Sequence, residues 1–146
     1  MKITVEHRSG GENEIILRCE TLDEEMLDIL AYFKERITKI IAYKNHELFM
    51  LMPNDVFYAE AVDGKTFVYT KEDIFETQDS LSGLEGKYYS TGYVRIGKSQ
   101  IVNLRHIKKL LSLSDRRIEI TLNNEEKMIA SRHYAQNLKE KLGIIL

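Results

Sequence analysis

The residues GYVRIGKS, Gly92 to Ser99, match the G-x-x-x-x-G-K-[ST] spacing of a loop that cradles phosphates in its own amides, reaches them with a lysine and holds magnesium through a hydroxyl. That chemistry needs a strand before the loop, a helix after it, and small residues between the glycines. Here Tyr93, Val94, Arg95 and Ile96 favour an extended strand, and Gln100-Ile101-Val102-Asn103-Leu104 is a second β-favouring run where the helix should begin. No apolar strand ending in Asp follows to hold magnesium, and strands and helices do not alternate as in a nucleotidase. The match is an accident of spacing, and nucleotide hydrolysis is set aside.

No other catalytic set assembles. His7, His46, His106 and His133 lack metal-ligand spacing, and neither a Ser, His and Asp group nor a Cys and His group can be assigned. Cys19 is the single cysteine, so no intrachain disulfide or thiolate zinc cluster forms; within EIILRCE it reads as a small, semi-buried strand residue. The sequence reads as a non-enzyme with no cofactor.

Taken as structure, the same stretch is a strand, an exposed polar tip from Gly97 to Gln100, and a second strand. Such a tip suits a nucleic-acid groove: Lys98 can reach a phosphate or a guanine, Ser99 a phosphate and Gln100 a base edge. An ordinary solvated turn has the same composition, so the tip alone does not choose. Charge adds a second signal. The chain carries −2 overall, but Met1–Asn45 carries −2, His46–Gly86 −7 and Lys87–Leu146 +7. The basic final segment either attracts phosphate or pairs with the acidic middle one inside a single fold.

The elements that would hold such a tip are mostly strands. At 146 residues, 43% hydrophobic and 30% charged, the chain has the composition of a folded globular protein. No apolar run approaches the roughly 20 residues of a membrane span, and the N-terminus lacks the apolar stretch of a secretory signal, so a cytoplasmic location is expected. KITVEH and EIILRC read as strands around Ser9-Gly10-Gly11. Thr21 or Asp23 caps a helix to about Arg36, with Met26, Leu30, Phe33 and Ile37 on one face, and KIIAY follows as a strand. This small β-β-α-β unit, 1–45, precedes a second region, 46–146.

The second region has short β-rich runs: ELFMLM, DVFYAEAV, KTFVYT, DIFET, YVRI, IVNL, IKKLLSL, RIEITL and KMIAS. Turns at Pro53-Asn54-Asp55, Asp63-Gly64, Asp115-Arg116-Arg117 and Asn123-Asn124 separate them. In RIEITL, Ile118, Ile120 and Leu122 face one way and Glu119 and Thr121 the other, as in a half-solvated antiparallel strand. Helices are predicted near Gln78–Glu85 and from Tyr134 to Leu142, where Tyr134, Leu138 and Leu142 dock the last one. The expected class is α+β, dominated by antiparallel sheet.

Three blocks of this region, DVFYAEAVDGKTFVYT, YVRIGKSQIVNLRHIKKL and TLNNEEKMIASRHYAQNLKEKL, resemble the LytTR DNA-binding domain of bacterial response regulators and stand-alone transcription factors. Tyr93, Arg95, Gly97, Lys98, Ser99, Ile101, Val102 and Asn103 meet the family's central motif, and Ser131, Arg132 and Tyr134 meet a second signature before the final helix. The resemblance covers about His46 to Leu146. It implies about ten short strands that insert loops, rather than a recognition helix, into successive grooves of duplex DNA. Carried over by position, the loops are Asp63-Gly64-Lys65-Thr66, Gly97 to Gln100, and Ser131-Arg132-His133. The DNA-contacting residues it implies are Lys65, Thr66, Lys98, Ser99, Gln100, Ser131, Arg132 and His133. The middle loop usually bears a His where this chain has Gly97. Arg95 and Asn103 are implied to be structural, in an ion pair and on nearby backbone respectively.

Arg132 has support apart from the family. A cation at the start of a helix opposes the helix dipole, and a nearby phosphate reverses that penalty. The stretch before residue 46 is shorter than the roughly 120 residues of a phosphoacceptor domain, so phosphorylation control is not expected. The N-terminal unit is expected to serve dimerisation or docking, because a βα unit of that size buries little alone. Likeness to stand-alone LytTR regulators implies a small membrane protein that restrains the chain. The reading is a cytoplasmic bacterial transcription regulator that binds double-stranded DNA as a homodimer, on repeated half-sites near its own promoter, with DNA bending. A protein- or small-molecule-binding module built on Phe57, Tyr58 and Phe67 is the alternative.

Overall fold

The computed structural model describes residues 1–11, 13–37 and 39–143. Its first regular element starts at Asp23 rather than Thr21: the Asp23 carboxylate accepts from the Met26 amide at 2.9 Å. Helix α1 (Glu24–Ile37) follows, with Glu24 and Glu25 in its positive first turn. Met26 is buried and Leu30 and Phe33 are half-buried, as their spacing predicts, while the side chain of Ile37 lies outside the described residues.

The two strands expected before α1 are a correction. Gly10 and Gly11 do take the left-handed backbone of a turn, at φ 82° and 86°, yet among the described residues neither flanking run enters a sheet ladder. Ile3, Val5, Ile15 and Ile16 remain exposed. Alternation supplies an apolar face, but a two-stranded ribbon without a sheet or helix behind it is marginal in water. Cys19, expected to be semi-buried in a strand, is exposed for the same reason. KIIAY does form a strand, β1 (Ile40–Lys44). It lies inside the main sheet, paired to strands on both sides, so no β-β-α-β unit forms ahead of that sheet.

The remaining strands fall where the short runs predict: β2 (Glu47–Leu51), β3 (Tyr58–Val62), β4 (Lys65–Tyr69), β5 (Ile74–Thr77), β6 (Tyr93–Gly97), β7 (Gln100–Asn103), β8 (Ile107–Ser112), β9 (Ile118–Leu122) and β10 (Lys127–Ala130). Helix α2 (Leu81–Tyr88) joins β5 to β6, its N-cap Ser80 accepting from the Gly83 amide at 3.0 Å. Helix α3 (Arg132–Leu142) closes the fold. Seven strands form one sheet in the order β2-β1-β5-β4-β3-β7-β6, and three form a second, β10-β9-β8. Every pairing is antiparallel, so the fold is α+β and dominated by antiparallel sheet.

Period-two alternation gives the large sheet two apolar faces. One carries Ile40, Ala42, Ala59, Val68, Phe75, Tyr93 and Ile101 against Leu81, Leu84 and Tyr88 of α2. The other packs Ile96 and Val102 against Ile118, Ile120 and Leu122 of β9 and Ala135 and Leu138 of α3. Each fully buried aliphatic side chain contributes about 1.5–3 kcal/mol. Glu119 is half-exposed as predicted, but Thr121 is buried between its strand neighbours Lys109 and Lys127.

Two polar residues stitch the loops to this core. The Tyr93 hydroxyl donates to the Pro53 carbonyl at 2.6 Å. Asn103, 1% exposed, donates through Nδ2 to the Val56 carbonyl at 2.9 Å and accepts at Oδ1 from the Arg105 amide at 3.1 Å. Its neighbour Gly92 sits at φ 112°, a left-handed conformation that favours glycine, and a Cβ there would press on Asn103 Oδ1 at 3.3 Å.

Candidate nucleic-acid interface

Strand register decides which loops share an end of the molecule. Glu60 pairs with Gln100, so the β3–β4 turn and the β6–β7 tip lie at the same end of the large sheet. Two backbone hydrogen bonds fasten the set: the Ala61 amide donates to the Ser99 carbonyl and the Ser131 amide to the Ile96 carbonyl, each at 2.9 Å. The first joins the β3 end to the tip, and the second joins the entry to α3 to the end of β6. The three segments expected to form one surface are therefore neighbours, although 70 residues separate Gly64 from Tyr134 in sequence.

Lys98 and Ser99 form the exposed tip, with a bulge in β6 between Arg95 and Gly97. Arg95 supports it from below. Its guanidinium donates to the Lys98 carbonyl at 2.7 Å and to Ser82 Oγ at 3.2 Å, and lies 3.8 Å from Glu85 Oε1. Arg95 and Asn103 thus hold the structural places that the resemblance implies. Gln100 is half-buried, and its Nε2 donates to Glu60 Oε2 at 3.2 Å, so its amide is engaged inside the protein. Glu60 also accepts from the Tyr69 hydroxyl at 2.5 Å. Burial first, and then that bond, push the Tyr69 hydroxyl up to about 12.

The other two segments differ in what they offer. Lys65 is exposed, 4.0 Å from Glu76. Thr66, expected at the DNA, is 8% exposed and shares the inward face of β4 with Val68, so its side chain presents little surface. Arg132 and His133 lie in the first turn of α3 rather than in a loop, and both are exposed. Ser131 occupies the N-cap in extended conformation, φ −64° and ψ 157°, without a side-chain capping bond. Its carbonyl accepts from Tyr134 and Ala135, leaving the hydroxyl beside the positive end of the helix.

Sequence reasoning missed two cations at this end. A surface hollow of about 580 Å³ is lined by Arg116, Arg132, His133, Ala135, Gln136 and Lys139, with no carboxylate among them. Lys139 was legible, since it stands two helical turns from Arg132 at i+7. Arg116 was not. It sits at φ 70° in the β8–β9 turn, and only the pairing of Ile118 with Ala130 brings that turn beside Ser131.

The model of the LytTr DNA-binding domain family matches residues 46–143. The chain belongs to the LytTR DNA-binding family. A LytTR structure from Bacillus cereus, described as a LytTr DNA-binding domain, superimposes with a TM-score of 0.69 at 25% identity, covering 73% of this chain and 98% of that one. The sensory transduction protein LytT of B. cereus is 32% identical over 90 residues, 62% of this chain and 37% of its own length. The transcriptional regulatory protein LytR of Staphylococcus aureus is 26% identical over 118 residues, 81% of this chain and 47% of its own length. The match thus spans less than half of either relative. No helix among the described residues is long and apolar enough to cross a membrane.

Proposed function

We propose that this LytTR chain is a cytoplasmic bacterial transcription regulator that binds duplex DNA sequence-specifically and has no catalytic activity. Lys65, Lys98, Ser99, Ser131, Arg132 and His133 face the DNA, with the β6–β7 tip and the α3 entry in successive grooves. Gln100 reads a base edge only by releasing Glu60. The observation that carries the reading is the pair of backbone hydrogen bonds, Ala61 to Ser99 and Ser131 to Ile96, that gathers three sequence-distant segments at one end. Cations on rigid, adjacent tips suit phosphate and base contacts together.

The protein acts as a homodimer on repeated half-sites, which its loops bend. Residues 46–146, with β1 built into their main sheet, bind DNA, and the segment ahead of β1 provides a dimerisation element or a docking surface for a small membrane protein that restrains the regulator. The exposed apolar residues Ile3, Val5, Ile15 and Ile16 support that second role. Fluorescence anisotropy against the duplex upstream of its own coding region, and against an unrelated duplex of equal length, tests the reading. A preference of about 10³ or more is expected of a specific binder, and equal affinities contradict sequence-specific recognition. Sedimentation of the free and DNA-bound protein tests the dimer.

A further inference from the structure

We propose that the hollow between the β8–β9 turn and α3 is a further DNA phosphate site, in which Arg116 and Lys139 grip the backbone of the same duplex beyond the three tips. The inference rests on the DNA-binding reading above and adds two residues from outside the segments assigned to it.

Topology places the turn at the DNA-facing end. Ile118, the first residue of β9, pairs with Ala130, and Ser131 follows at once, so residues 113–117 and the start of α3 are neighbours. The turn then presents one of its two arginines. Asp115 accepts from Arg117 Nε at 2.5 Å, and Leu113 pairs with Arg117 through the backbone at 2.9 Å, which fixes Arg117 against the turn. Arg116, at φ 70°, lines the hollow instead.

The opposite wall is a stripe on α3. Arg132, Gln136 and Lys139 stand at i, i+4 and i+7, all on the hollow. From Arg132 to Lys139 the helix rises about 10 Å, enough to meet more than one phosphate along a strand. Three permanent cations and a histidine on one concave surface, with no lining carboxylate, are poorly explained by folding, since they repel one another. A polyanion turns that repulsion into attraction. Arg116 on the β8–β9 turn and Lys139 farther along α3 lie outside the three tips, so they meet backbone rather than bases, and their contribution is independent of sequence.

The test is the salt dependence of DNA binding for Arg116→Gln, Lys139→Gln and the double variant. Lys71→Gln, an exposed lysine in the β4–β5 turn at the far end of the sheet, is the control. Each phosphate contact adds about 0.9 to the slope of log K against log salt. Each single variant is expected to flatten the slope by about that much, the double variant by about twice that, and both to weaken specific and unrelated duplexes by the same factor. Lys71→Gln leaves the slope unchanged. Wild-type slopes retained by both single variants and the double, in protein that binds its own upstream duplex normally, overturn this site and leave the three-tip reading standing. A wild-type protein that binds no duplex at low salt overturns both. Free inorganic phosphate that competes at millimolar concentration, with unchanged DNA slopes, assigns the hollow to a small anion and also overturns the proposal.

Discussion

The guanidinium of Arg95 donates to the carbonyl of Lys98 at 2.7 Å while touching Ser82 and Glu85 of α2. One side chain thus ties the exposed tip to the helix that packs on one face of the large sheet. Arg95→Lys keeps the charge and loses the planar fork that serves three partners. It is expected to cost about 1–3 kcal/mol of stability, read by urea unfolding. It should weaken DNA binding more than Lys98→Ala does, because the whole tip loosens. A variant with wild-type affinity contradicts the positioning role.

Arg132 is expected to act in opposite directions on stability and on binding. Its cation in the first turn of α3 opposes the dipole, so Arg132→Ala raises stability by about 0.3–1 kcal/mol at low salt. The same change removes a phosphate contact and flattens the salt slope by about 0.9. Thermal unfolding and anisotropy on one preparation check both signs.

Glu60 restrains the binding surface. It holds Gln100 Nε2 at 3.2 Å and places a carboxylate one residue from the Ala61–Ser99 link. Glu60→Gln is expected to tighten DNA binding several-fold, since a negative charge near the phosphates is removed. Unchanged affinity would show that the carboxylate is screened from the DNA.

The same carboxylate predicts an alkaline signature. Tyr69 keeps its proton up to about 12, through burial and then the Glu60 bond, against an ordinary value near 10. Between those values the folded state holds a proton that the unfolded state has lost. Its contribution to stability is therefore complete below pH 10 and disappears as pH rises through about 12. Tyr69→Phe should flatten the fall in unfolding free energy across that window.

Asn103 is expected to matter to the fold alone. It is buried, with both amide ends used on backbone, so Asn103→Ala strands the Val56 carbonyl and the Arg105 amide. A loss of about 2–4 kcal/mol is expected in denaturant unfolding, with DNA affinity restored wherever the protein remains folded.

Alternation and turn residues made the strands from β1 onward legible, because each run had a neighbour to pair with. The N-terminal runs carry the same local signal and form no ladder, since pairing depends on a partner edge that local sequence does not reveal. Parity could have found Thr66. Once Asp63-Gly64 is the turn and Val68 faces the core, Thr66 faces it too. The hydrogen bond of Gln100 was illegible for another reason, as it depends on Glu60, 40 residues away. Arg116 needed the register of β9 against β10, which no local pattern encodes.

The most direct measurement is a titration of the duplex upstream of the coding region at two salt concentrations, with wild type, Lys98→Ala and Arg132→Ala. Steep salt dependence, weaker binding in both variants and unchanged folding by circular dichroism are expected. Folded wild-type protein that binds no DNA at low salt, or variants that bind as tightly as wild type, would contradict the proposed DNA interface.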